Sequence, residues 1–118
     1  MLKIRQEQLD VLNKYVEDAY KERLQTFLRT EYAPEAAAMS EDELKQLVDT
    51  GVQKALDYDI SSKRDVADYL VLLLRHGVDF ELQPQHAWAL DILKSEEMDG
   101  ETKILELETT FDQLQGQS

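Results

Sequence analysis

The sequence predicts an all-α fold: a compact bundle of about five helices, with a long N-terminal helix at about 5–31 and a central hydrophobic helix at about 63–76. Three observations predict it. Apolar residues recur at steps of three and four through most of the chain, which is the spacing of one helix face. Only four Gly and two Pro interrupt 118 residues, which suits long helices and not a chain of many short strands and turns. Ser and Gly stand where helices need a cap or a stop. This length is ordinary for one hydrophobic core. Residues 1–118 therefore read as a single helical domain with a frayed tail at about 115–118.

In the first helix, Leu9, Leu12, Val16, Ala19, Tyr20, Leu24, Phe27 and Leu28 form one apolar face. Its span is about 40 Å at 1.5 Å per residue. Tyr32-Ala33-Pro34 ends it, because the residue before a proline is pushed out of helical geometry. Pro34 then suits the start of a short turn through Glu35 to Met39. Ser40 followed three residues later by Glu43 is a capping box. The second helix runs from there to about Tyr58, with Leu44, Leu47, Val48, Val52, Ala55 and Leu56 inward. Gly51 inside this pattern costs about 1 kcal/mol against alanine, which predicts a close helix–helix approach at that point.

Asp59 suits a turn, and Ile60 suits a plug for the core. Ser62 caps the third helix, with Asp65 toward the positive end of its dipole. From Val66 to Leu74 only Asp68 is charged. A helix apolar on most sides is buried on most sides, so this one is central. Gly77 is placed as its left-handed terminator. A loop follows, with Phe80 and Leu82 inward or over the core edge. The fourth helix opens at Pro84 or Gln85 and buries Trp88, Ala89, Ile92 and Leu93. The fifth, about 101–114, shows Ile104, Leu105, Leu107, Phe111 and Leu114.

The net charge of −12 is unevenly spread. Residues 1–32 carry equal numbers of acidic and basic side chains, whereas residues 77–118 carry ten acidic and two basic ones. An acidic surface repels phosphate backbones, which disfavours direct nucleic-acid binding and suits either plain solvation or a basic protein partner. There is no Cys, which removes disulfides and thiolate metal sites and makes a reducing compartment the natural home. The N-terminus shows no apolar core of signal-peptide length, and no run approaches the roughly 18–20 apolar residues that span a bilayer. The expectation is a soluble cytoplasmic protein that contacts no membrane.

Catalytic chemistry is not written in the chain. His76 and His86 are the two histidines, and neither falls in a metal-ligand spacing. Residues 57–68 place Asp57, Asp59 and Ser61 like the start of a calcium loop. Ser62 stands at its glycine position, Asp68 at its closing glutamate, and Lys63 and Arg64 lie inside it, so the match fails. No nucleophile elbow or phosphate loop occurs. The expectation is a protein that is not an enzyme and needs no cofactor or metal. Trp and Tyr favour interface hot spots, which makes Tyr15, Tyr32, Tyr58, Phe80 and Trp88 the candidate partner-binding residues. For Trp88 the competing reading is an anchor of the fourth helix on the third.

The stretch from Gly51 to Glu81, followed by Trp88-Ala89 and Ile92-Leu93, resembles small bacterial proteins encoded with type VI secretion effectors. The likeness is carried by Gly51, Ala55, Tyr58, Ile60, the Lys63-Arg64-Asp65-Val66 turn, Tyr69, and the Gly-x-x-Phe-acidic unit from Gly77 to Glu81. The upstream helix ending at Tyr32 also fits, with Ala33 inserted before Pro34. The likeness covers about 15–95 and departs at Asp59, where the family often has Gly after the Tyr. It implies an accessory or co-chaperone role: a helical adaptor that binds a secretion effector, its chaperone or the spike tip. The alternative is an immunity protein that neutralises a toxin, its acidic half mimicking nucleic acid. A homodimer built through the first helix is a third expectation.

Overall fold

The computed structural model describes the backbone of residues 6–116 and the side chains of residues 17–115. It is all-α, with six helices and two 3₁₀ turns among the described residues. The helices are α1 (Gln6–Glu31), α2 (Ala33–Ala36), α3 (Glu41–Asp57), α4 (Lys63–His76), α5 (Ala87–Leu93) and α6 (Gly100–Gly116). The 3₁₀ turns, Phe80–Leu82 and Pro84–His86, occupy the segment expected to be loop and the first turn of the fourth helix. The expected tail at 115–118 is corrected for Gln115 and Gly116, which continue α6; the last two residues lie outside the described residues.

The helices lie in a row. α3 packs between α1 and α4, α4 between α3 and α6, and α5 against α6 and the 3₁₀ turns. The place of α4 in that row explains its composition: Val66, Tyr69, Leu70, Val71, Leu72 and Leu73 are all buried. Gly51 of α3 faces it. A Cβ there would overlap Leu70 Cδ2 and come within 2.8 Å of Leu73 Cδ1, so the missing side chain is what lets the two helices approach. Leu56, expected inward, is 52% exposed, because the stripe facing α4 closes at Ala55 and the next position turns outward. Leu105 and Leu114 are also exposed, leaving Ile104, Leu107 and Phe111 as the buried face of α6.

Local chemistry sets the helix ends. The Glu43 N–H donates to Ser40 Oγ at 3.1 Å and the Ser40 N–H to Glu43 Oε1 at 3.4 Å, which completes the capping box. The Asp65 N–H donates to Ser62 Oγ, capping α4. α3 ends in a Schellman motif: Asp59 N–H donates to Leu56 O at 3.0 Å and Ile60 N–H to Ala55 O at 2.7 Å. Asp59 therefore sits at φ +62°, a position where glycine is free of strain. Arg29 forks from α1 onto Ala36 O and Met39 O, tying down the chain after α2.

Gly77 ends α4 by a different geometry from the left-handed cap expected. Its φ and ψ are +107° and 150°, a region open essentially to glycine alone. Gly77→Ala is expected to lower stability by about 1–3 kcal/mol. The nearest atom to an added Cβ lies 3.9 Å away, so the loss is a backbone effect. Urea denaturation is the check, and Ser61→Ala, at an exposed position, serves as the neutral control.

Beyond Gly77 the chain is held by charge. Lys54 of α3 pairs with Glu81, whose side chain is fully buried, and donates to Val78 O at 2.6 Å. Tyr58 donates its hydroxyl to Glu81 Oε1 at 3.2 Å. Burial, then the Glu81 carboxylate, pushes the Tyr58 phenol up to about 12. The same two causes raise Tyr69, whose hydroxyl is buried among these groups. Lys103, buried in the first turns of α6, donates to Tyr58 O at 2.7 Å and caps the C-terminal end of α3.

Candidate partner-binding groove

The seam between α4 and α6 does not close. A groove of about 760 Å³ runs along it, bordered at one end by Tyr32 and Glu35. Val71, Leu72 and Phe111 are packed beneath it and almost wholly buried, Leu74 is half-buried along it, and its open surface is mostly polar. Its edges are acidic, with Asp68 on α4 and Glu108 and Asp112 one turn apart on α6. A second, smaller groove continues the first along the same seam, sharing Asp68 and Glu108 and adding Arg64, Asp65, Glu101 and Leu105.

The carboxylates feel one another. Burial, then Asp68 and Asp112, raises the Glu108 carboxyl above the ordinary range, against the pull of Arg75 and Arg64. Burial also raises Asp68, with Asp65 adding to it and Arg64 opposing. Arg75 lies over the Tyr32 ring, its guanidinium carbon 5.2 Å from the centroid, which pins the end of α4 against the α1–α2 junction.

Below the groove is an aromatic cluster. His76 stacks on Phe111 with ring centroids 3.6 Å apart and planes 5° from parallel. Phe80, His86 and Trp88 meet Phe111 edge-on at 5.4, 5.3 and 4.9 Å. Burial pushes the His76 imidazole below its ordinary 6.5; His86 and Arg75 push the same way and Asp112 opposes. The unfolded chain then binds a proton near pH 6.5 that the folded chain resists. The associated stability is fully present above pH 6.5 and is lost as pH falls through the depressed value. His76→Phe keeps a ring on Phe111 and removes the titration. Its urea midpoint is expected to fall less than that of the parent protein between pH 7.5 and 5.5. Identical slopes would remove His76 from the account.

The four candidate residues whose side chains are described do not form one surface. Tyr32 lines the groove, half-buried. Trp88 is half-buried against Phe111 and does not line the groove. Tyr58 spends its hydroxyl on Glu81 beside the Gly77 loop. Phe80 is fully buried in the aromatic cluster and offers a partner nothing, which corrects its candidacy. The reason is the Gly77 backbone, which turns the chain so that Phe80 and Glu81 point inward and Leu82 outward, 63% exposed. The Tyr15 side chain lies outside the described residues. The groove carboxylates were missed as a group because they come from three separate elements.

Among the described residues no three His, Asp or Glu side chains converge to hold a metal ion. No described helix is long and apolar enough to cross a membrane. Compared with known proteins, the chain matches no family model, no curated protein and no solved structure.

Proposed function

We propose that the chain is a non-enzymatic adaptor that holds a protein partner along the α4–α6 seam. The observation that supports this is an open groove with carboxylate edges, with Leu74 half-buried along it and Leu105 exposed where it continues. Apolar contact supplies affinity in such an interface, and edge charge steers the approach of a basic partner. The family resemblance suggests the partner class: a type VI secretion effector, its chaperone or the spike tip.

Copurification from the native cell tests the reading. An effector or chaperone encoded beside the gene is expected to copurify at low salt. It should be lost with the exposed pair Glu108→Lys and Asp112→Lys. Deletion of the gene should abolish secretion of that effector without poisoning the cell. Sensitivity to a sister cell's toxin on deletion would favour an immunity role instead, and capture of no neighbouring gene product would end the adaptor reading.

A further inference from the structure

The two grooves are one trough. They share Asp68 and Glu108, and together they follow α6 from Glu101 to Gln115. That distance is about 21 Å, or roughly four turns of helix. Both walls are helices, and no strand edge occurs among the described residues that an extended peptide would extend. An added helix is the element such walls accept, laid in the groove between them.

The charge on the trough decides what that helix carries. Six carboxylates line it: Glu35, Asp65, Asp68, Glu101, Glu108 and Asp112. Two guanidinium groups, Arg64 and Arg75, answer them, and Arg75 is engaged on the Tyr32 ring. The excess of negative charge lies on both walls, with Asp68 on α4 facing Glu108 on α6. Leu105, 59% exposed, shares the α6 face of Glu108 and Asp112 at steps of three and four, which adds an apolar contact at the far end.

We propose that the trough takes a basic amphipathic helix of about four turns from the partner protein, its apolar ridge on Leu74 and Leu105 and lysines or arginines on both flanks. This rests on the adaptor reading and names the occupant. A cation placed between Asp68 and Glu108 offsets their mutual repulsion, and an acidic helix is rejected by the same groups.

A fluorescent 16-residue helical peptide tests it, with leucines at i, i+3, i+4 and i+7 and lysines flanking them. Titrated with the full chain at low salt, the peptide is expected to bind and to weaken as salt rises. Asp68→Lys with Glu108→Lys should weaken it at least about tenfold, and Leu105→Ser should weaken it further. A version with glutamates for lysines should not bind. Equal binding of a sequence-scrambled lysine peptide would reduce the effect to unspecific charge attraction and overturn the proposal. So would a homodimer that buries the trough, visible by light scattering. If the neighbouring gene product is captured through the trough while neither peptide binds, the adaptor reading stands and the basic helix falls.

Discussion

Lys54→Met is expected to lower folding stability by about 3–5 kcal/mol at neutral pH, because it leaves the Glu81 carboxylate buried without its cation. The Glu81 side chain is fully buried, while Lys54 is 16% exposed, so solvent does little to replace the lost partner. The Val78 carbonyl loses its donor in the same change. Removing both charges is a different experiment. Lys54→Met combined with Glu81→Leu substitutes apolar side chains for the ion pair, and such replacements are often neutral or stabilising. The double variant is therefore expected to lie within about 1 kcal/mol of the parent protein. Urea denaturation followed by the fluorescence of Trp88, the single tryptophan, reads both variants and the parent protein. A Lys54→Met loss below about 1 kcal/mol would mean the loop is held by its backbone geometry and not by the pair.

Phe111→Ala is expected to cost about 3–5 kcal/mol, the range for emptying a buried aromatic position. Its ring is 5% exposed and is the common neighbour of His76, Phe80, His86 and Trp88. Truncation removes the stack under α4 and the packing of α5 on α6 together, so little of the gap can collapse. Phe111→Leu keeps most of the volume and is expected to cost less than half as much. Near-ultraviolet circular dichroism should report the local change, since Trp88 meets the ring edge-on at 4.9 Å. An unchanged Trp88 signal in Phe111→Ala would show that α5 is seated by other contacts, with Ala89 and Leu93, both fully buried, the first to test.

The residues between Gly51 and Glu81 that shape the fold divide into two physical kinds. Gly51, Asp59, Ile60, Ser62 and Gly77 act on backbone geometry: a close approach, a Schellman turn with its plug, a cap and a stop. Each is legible in sequence because it interrupts, caps or ends a helix pattern at its own position, although the partner of Gly51 lies on another helix. Asp59 is instructive. It sits at a left-handed φ of +62°, a position that glycine fills without strain. Glu81 is of the second kind. It reads as one acid among 25 and proves to be buried on a lysine 27 positions earlier. Nothing local distinguishes it from the solvated acids around it.

The trough was illegible for the same reason. Periodicity predicts which face of a helix is buried, and it placed Ile104, Leu107 and Phe111 correctly while placing Leu105 wrongly. It is silent on which helices become neighbours and whether their seam closes. Glu35, Asp68, Glu108 and Asp112 are ordinary surface acids until α2, α4 and α6 are brought together.

By itself, then, the sequence determined that this chain is helical, where its helices are capped and broken, and that the helix at 63–76 is the buried one. These follow from short-range sterics, hydrogen bonding and the 3.6-residue period, all of which act within a few turns. Only the tertiary structure decided that α3 and α6 flank α4, that Glu81 turns inward and Leu82 outward, and that an acid-edged groove stays open. Those outcomes depend on packing and on charge between residues distant in the chain, and such contacts leave no periodic trace in the sequence.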